Sequence, residues 1–264
     1  MTAAPKLFAP PSKYHDPAFV RSIITSLCEL WEKDDGAGGD FRGQLDPARA
    51  VAIHTHAHHA VKMARALLVL DDATTGAETV PIVRLILECG VTAAYLLLRD
   101  GSGDSMIRKG SDQRRLALRD IASLGMDVED SLREAAAKIA ELDRAGVLTG
   151  WIFQQHCESL HEGKQLYALY RVLTSESHAG MRIADLYVVN DDQSPVGVAF
   201  VADLPYEAKV ASLGIAASML FLAINADEIA RAKPRRTTQL GTIAGRLGVS
   251  TRILRADGSE HPSR

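Results

Sequence analysis

Arg171 and His178 give the strongest chemical signal in the chain, within the run YRVLTSESH at positions 170–178. Seven positions are almost two helical turns, so a helix would place both side chains on one face, with Cα atoms roughly 10 Å apart along the axis. Histidine transfers protons and arginine stabilises phosphate charge, which is the minimum set for metal-independent RNA cleavage. One histidine cannot easily act as both acid and base across the scissile phosphate, so a homodimer with two copies of the site would supply both groups. The alternative is a structural histidine beside a solvated arginine.

Arg84 and Glu88 form a second candidate site, because residues four apart share a helix face and the surrounding segment is otherwise apolar. A buried pair of charges is costly to desolvate and adds little net stability. One interpretation is a pocket in which Arg84 holds an anionic ligand and Glu88 orients it. The other is a structural ion pair that fixes helix packing. If His178 packs against this helix, the polar residues form one site, to which Tyr170 and Ser175 are added as candidate ligand-binding residues.

A histidine cluster at positions 54–59 suggests a metal site. His54 and His58 are four apart, as are Cys157 and His161, and four such ligands would complete a tetrahedral site if the two helices met. A solvated or partner-facing histidine-rich helix is the alternative. We expect no cofactor and treat these four residues as weak metal candidates.

The spacing from Arg171 to His178 resembles the R-x(4 to 6)-H signature of the HEPN superfamily, whose members are helical bundles and often dimeric ribonucleases. HEPN enzymes usually place a polar residue after the arginine, whereas this chain has Val172. A second resemblance covers roughly residues 50 to 225. There the R-x-x-x-E pair and the Y-R-x-L-[ST]-S-x-x-H run are similar to an uncharacterised bacterial all-helical family. Together the resemblances imply a HEPN-like helical protein, with possible RNA cleavage in stress or phage defence and Arg171 and His178 as catalytic residues.

Composition is that of a folded soluble protein, with 47% hydrophobic and 24% charged residues and a formal net charge of -3. This charge gives no global attraction to nucleic acid or anionic membrane, so an RNA site would have to be local and DNA is an unlikely partner. Three separated cysteines and the absence of a recognisable secretion signal favour a cytoplasmic location. The most apolar stretches, 80–98 and 210–224, are interpreted as buried core helices. P-loop, G-x-G-x-x-G and G-x-S-x-G motifs are absent, which disfavours nucleotide-dependent enzymes and common hydrolases.

The periodicity predicts a mainly α fold, a bundle of about seven helices with a small β-hairpin near residues 187–201. We expect one helical domain at 16–232, between a flexible N-terminus at 1–15 and a basic flexible C-terminal tail at 233–264. Residues 243–250 also resemble the first helix and turn of a helix-turn-helix, but too few residues follow for a recognition helix. The leading functional hypothesis is the metal-independent endoribonuclease. The alternative is a non-catalytic module that binds a small anionic ligand or a protein partner.

Overall fold

Ten α-helices and one two-stranded antiparallel sheet make up the part of the chain that this computed structural model describes, which is residues 7, 16–33, 40–43, 45–73, 77–147, 150–178, 180–201 and 206–260. The helices are α1 Pro17–Lys33, α2 Pro47–Ala73, α3 Val80–Leu98, α4 Ser102–Ser123, α5 Glu129–Arg144, α6 Phe153–Glu158, α7 Gly163–Ser177, α8 Met181–Tyr187, α9 Tyr206–Ala230 and α10 Thr237–Leu247. The strands are β1 Val188–Asn190 and β2 Val198–Phe200. The expected mainly helical fold with a small hairpin is confirmed.

The core is built around α3, which packs most extensively against α9 and α2. Most residues of α3 are buried, as its nearly continuous run of Val, Leu, Ile and Ala predicts. The helix begins after Thr79 with a proline in its first turn and ends before Arg99. At its C-terminus the buried Arg49 of α2 donates to Leu96 O at 2.9 Å and Leu97 O at 3.0 Å. A cation is favourable there because the last carbonyls of a helix lack partners.

Gly90 allows α3 and α9 to approach closely. A Cβ atom added at Gly90 would lie 2.5 Å from the backbone oxygen of Met219 on α9. Only glycine fits this crossing without movement of one backbone. The position of the whole of α3, including its polar residues, therefore depends on this contact.

A buried ionic network joins α9 to α2 and α10. Asp227 accepts hydrogen bonds from Arg231 Nε at 2.9 Å and from the Arg236 guanidinium, while Arg236 Nε donates to Glu228 at 3.1 Å. His54 Nδ1 lies 2.9 Å from the second oxygen of Asp227. The Arg236 guanidinium also lies over the Trp31 ring, 4.8 Å from its centroid. The charges are thus paired within the core and hold the C-terminal helix in place.

The expected basic flexible tail at 233–264 is wrong for the part that the structure describes. Residues 237–247 form α10, whose buried face packs against α9 and α1 and consists of Leu240, Ile243, Ala244 and Leu247. Arg236 is buried because Asp227 and Glu228 of α9 neutralise its charge. Of the expected flexible N-terminus, Leu7 is described and buried, and the rest of 1–15 lies outside the described residues.

The expected number of about seven helices is also wrong. Residues 153–177 form two helices instead of one, because Glu162 between α6 and α7 adopts a left-handed conformation with φ of 59°. Helix α8 was not predicted, and α10 was assigned to the flexible tail although residues 243–250 resembled a helix and turn. The hairpin pairs Val188 with Phe200 and Asn190 with Val198, within the predicted range. Helices α4 and α5 pack mainly on each other, and most of their residues are not buried.

Two segments, Ala77–Leu98 and Ala211–Ala230, are long and apolar enough to cross a membrane. Their most apolar windows are 67% and 89% buried within the described structure. Core helices of soluble proteins have this same composition and burial, so these segments are weak support for a membrane location.

Gly90→Ala should destabilise the protein, because its new methyl group would overlap the Met219 carbonyl of α9. Overpacking of this kind typically costs about 1–3 kcal/mol. The matched control is Gly110→Ala on α4, where an added Cβ meets nothing within 4 Å. That change should stabilise the protein by about 0.5–1 kcal/mol, since alanine favours helix interiors. Urea denaturation measures both, and equal effects of the two substitutions would contradict the close helix crossing.

Candidate functional site

Arg84 and Glu88 lie on the face of α3 that is not fully covered by other helices. Their side chains are 24% and 30% exposed, so the pair is half-buried instead of fully enclosed. Arg84 Nε lies 3.5 Å from Glu88 Oε1, which is an ion-pair distance longer than a good hydrogen bond. This nitrogen is shielded from solvent and makes no hydrogen bond within the described residues. The opposite charge of Glu88 therefore orients Arg84 without satisfying all of its donors.

His178 contacts Arg84 across the interface of α7 and α3. Its Nε2 atom lies 3.4 Å from Arg84 Nη1. A guanidinium has donors only, so this contact is a hydrogen bond when Nε2 carries no proton. The structure thus brings Arg84, Glu88 and His178 into one cluster, named here the RHE cluster.

The end of α7 places His178 in this cluster. The helix ends at Ser177, and His178 has extended backbone angles, φ -101° and ψ 141°. Leu166 and Leu173 are the buried apolar residues with which α7 packs into the core beside α3. His178 therefore caps α7 instead of continuing it, and its alignment with Arg171 on one helix face stays a prediction.

Gly163 sets the direction in which α7 leaves α6. A Cβ atom there would lie 1.8 Å from the carbonyl oxygen of Cys157, so the tight turn excludes any other residue without rearrangement. Glu162, immediately before it, has the left-handed φ described above. This turn brings Phe153 of α6 against Tyr170 of α7, with ring centroids 4.5 Å apart.

Arg171 lies on the exposed side of α7. Its side chain forms no hydrogen bond or ion pair with other residues in the described part of the chain. Its predicted catalytic role stays a prediction. Its position is that of an uncompensated surface cation.

The other two candidate ligand-binding residues differ in position. Tyr170 lines a cleft beside Glu88. Ser175 does not line it, and its hydroxyl donates to Val172 O in the same helix at 2.7 Å. Tyr170 is therefore placed to contact a ligand, whereas the hydroxyl of Ser175 is occupied by the helix backbone.

The cleft has a volume of about 470 Å³, which is within the usual range for small-molecule sites. It lies between α2, α3, α7 and the segment that begins α6, and we call it the aromatic cleft. Its lining residues are Thr55, His56, His59, Leu85, Glu88, Cys89, Thr92, Trp151, Phe153 and Tyr170. Glu88 belongs to both the cleft and the RHE cluster, so the two are adjacent.

Burial changes the acid–base properties of two cleft residues. Burial raises the pKa of Glu88, and the positive charge of Arg84 only partly opposes this. Burial lowers the pKa of His56, although its hydrogen bond to Ala52 O at 2.7 Å acts in the opposite direction. Glu88 is thus a stronger base than an exposed glutamate, and His56 favours the neutral form.

The weak metal candidates do not come together. His54 contacts Asp227, and His58 Nδ1 lies 3.4 Å from the indole nitrogen of Trp31. Cys157 is fully buried, and burial raises its pKa to about 12, which disfavours the thiolate form that binds metals. No group of three His, Cys, Asp or Glu residues within the described residues is placed to hold one metal ion, and His161 joins no such group.

Of the ten lining residues the sequence interpretation assigned only Glu88 and Tyr170 to a ligand site, and the eight that it missed include His56, His59, Trp151 and Phe153. The two histidines belong to the cluster at 54–59, but the pair at 54 and 58 faces Trp31 and Asp227 while the other pair faces the cleft. Their spacing of three residues was the available signal. The two aromatic residues lie at and before the start of α6, where no periodic pattern marks them.

Comparison with protein-family models, with curated proteins and with solved structures finds no match.

Glu88→Gln should stabilise the protein increasingly as the pH rises above about 4.5. The pKa of Glu88 is raised from 4.5 in the folded state by burial, so the unfolded chain ionises first. Ionisation therefore lowers the free energy of unfolding of the wild type between pH 4.5 and the raised pKa, and glutamine removes this loss. Urea denaturation between pH 4 and 8 measures the difference.

The control is Glu129→Gln on α5, whose side chain is 83% exposed. It should show no comparable gain with pH. If the advantage of Glu88→Gln over wild type stayed constant or shrank as the pH rose, the desolvation of Glu88 would be refuted.

Proposed function

We propose that the protein is a HEPN-like metal-independent endoribonuclease whose reaction takes place at the RHE cluster. The observation that carries this proposal is the contact between Arg84 Nη1 and His178 Nε2 at 3.4 Å, with Glu88 at 3.5 Å from the same guanidinium. These side chains supply a cation, an imidazole and a carboxylate within one chain. Arg84 thus takes the charge-stabilising role that the sequence suggested for Arg171.

In the proposed reaction Glu88 acts as the general base. Its carboxylate accepts the proton of the ribose 2′-hydroxyl, and the 2′-oxygen attacks the adjacent phosphorus. The raised pKa of Glu88 suits this role, because a base is most effective when its pKa approaches the working pH. The product of the attack is a 2′,3′-cyclic phosphate.

His178 acts as the general acid in its imidazolium form. The bond from phosphorus to the 5′-oxygen breaks, and His178 donates a proton to that oxygen. Arg84 stabilises the charge that develops on the phosphate oxygens. Since acid, base and cation are all side chains, the proposed reaction needs no metal.

A second candidate function is non-catalytic binding of a small anionic ligand at the same residues. The half-buried Arg84 and the adjacent cleft favour it. In that case Arg84→Ala would abolish ligand-induced thermal stabilisation, yet no RNA would be cleaved under any condition.

Purified protein should cleave total RNA in the presence of EDTA. His178→Ala and Glu88→Gln should each lower kcat by about 100-fold or more, and Arg84→Ala by about 100- to 1000-fold, as is typical for loss of acid–base or charge-stabilising groups. Arg133→Ala on α5, with a side chain 69% exposed, is the matched control for Arg84→Ala and should leave kcat unchanged. Circular dichroism confirms that each variant is folded.

Two results would contradict the proposal. Absence of cleavage by the wild type at several salt and protein concentrations would leave the binding module as the better account. Cleavage that EDTA abolishes would show that the reaction depends on a metal.

Arg171→Ala should act on binding and leave the chemistry intact. Arg171 is exposed, and we propose that it contacts a neighbouring phosphate of the RNA backbone. Loss of one such contact lowers the salt dependence of binding by about one unit of slope. We expect a higher KM and an unchanged kcat, measured at several salt concentrations. A loss of kcat as large as that of His178→Ala would instead assign Arg171 to the reacting centre.

A further inference from the structure

The aromatic cleft is not explained by the cleavage reaction alone, which needs only the RHE cluster. Three of its lining residues carry aromatic rings: Trp151, Phe153 and Tyr170. The rings come from two elements, α7 and the start of α6, that meet beside Glu88. Side chains of this kind provide flat apolar surfaces on which planar groups stack.

Trp151 is held in place by a stack of rings behind it. His156 stacks on Tyr95 with centroids 4.1 Å apart, and Trp151 contacts His156 edge-on at 4.2 Å. His156 is only 1% exposed, and burial lowers its pKa to about 4, so it is a neutral ring at physiological pH. Phe153 is packed in turn against Tyr170. The aromatic side chains that line the cleft are therefore held in place before a ligand binds, which reduces the entropic cost of ligand binding.

The opposite side of the cleft carries polar groups. His56 Nδ1 lies 2.7 Å from the carbonyl oxygen of Ala52, which can only accept a hydrogen bond. Nδ1 is therefore the donor, and in the neutral ring Nε2 is left as an acceptor. His59 and Thr92 add further hydrogen-bonding groups to the lining, whereas the hydroxyl of Thr55 donates to Ala52 O in its own helix at 3.1 Å. Aromatic walls with a polar edge suit a planar heterocycle that carries ring nitrogens and amino or oxo groups, and a purely aliphatic ligand would leave these polar groups unpaired.

We propose that the aromatic cleft is a binding subsite for the RNA nucleobase next to the scissile phosphate. The inference rests on the proposed function for the position of the phosphate at Arg84 and His178. Because Glu88 lines the cleft and also contacts Arg84, a base in the cleft would sit beside the phosphate that the RHE cluster holds. The stacked base would fix the nucleotide while Glu88 and His178 exchange protons with it. Stacking is tolerant of base identity, so the subsite positions any base that fits.

Calorimetric titration of the full chain with adenosine 3′-monophosphate, ribose 5-phosphate and inorganic phosphate tests this subsite. We expect the nucleotide to bind about 10-fold or more tightly than either ligand that lacks a base, in keeping with the usual strength of base stacking on aromatic side chains. Trp151→Leu keeps apolar bulk and should remove most of this advantage while leaving phosphate binding unchanged. Phe153→Leu is the second variant, in case the first does not fold.

Phe200→Leu is the matched control, since this aromatic residue is 85% exposed on β2 and does not line the cleft. Its affinities should equal those of the wild type. Equal affinity of wild type for the nucleotide and for inorganic phosphate would overturn the subsite, as would unchanged nucleotide binding in both cleft variants.

The outcomes separate this inference from the proposed function. Base-dependent binding without RNA cleavage would support the nucleobase subsite and contradict the proposal that the protein is a ribonuclease. RNA cleavage that depends on His178, with equal affinity for the nucleotide and for ribose 5-phosphate, would support the ribonuclease proposal and contradict the nucleobase subsite.

Discussion

The crossing of α3 over α9 at Gly90 is the contact on which the rest of the structure depends. With no side chain at Gly90, the two helices meet at backbone distance, and α2 encloses another face of α3. Helices α6 and α7 also pack on α3. Arg84 and Glu88 lie where this cover is incomplete, with side chains 24% and 30% exposed. A helix that was apolar on every side would have fitted the same position, yet two charges lie there half-buried and incompletely hydrogen-bonded.

The second constraint is the ionic network around Asp227, on the side of α2 that faces away from the cleft. Burial raises the pKa of Asp227, but hydrogen bonds from His54 and Arg231, with the nearby charge of Arg236, outweigh burial and hold the pKa below its usual value. This arrangement fixes the rotation of α2. Since His56 and His59 lie on the other side of the same helix, the network also determines which histidines reach the cleft. His54, which joins the ionic network, and His56 and His59, which line the cleft, are therefore held relative to one another by the same helix, α2.

Much of the fold could be predicted from local patterns. The periodicity of the apolar residues predicted the mainly helical fold, and the hairpin was predicted in the range where β1 and β2 pair. The turn at Glu162 and Gly163 could not be read in this way, because it is imposed by contact with the Cys157 backbone. The C-terminal helix was missed for a similar reason, since basic residues favour a solvated tail until a partner such as Asp227 is known.

The candidate site could be predicted only in part. The spacing of Arg84 and Glu88 indicated a shared face, and the possible contact with His178 was foreseen as a condition on packing. Arg171 was chosen because a continuous helix would align it with His178, whereas the contact that the structure shows for His178 is with Arg84 of α3. Trp151 carried no signal, because its role depends on rings that meet only in the folded chain. The residues that could not be predicted from the sequence are those whose candidate role depends on tertiary contacts.

The central claim is that Arg84 and His178 act on one phosphate as a single unit, and a double-mutant cycle on RNA cleavage tests it most directly. We compare kcat/KM for wild type, Arg84→Ala, His178→Ala and the double variant in EDTA. Groups that act together lose their effect together, so the double variant should be hardly less active than the worse single variant. Multiplicative losses, in which the double variant falls by the product of the two single effects, would show that the residues act independently and would contradict the account.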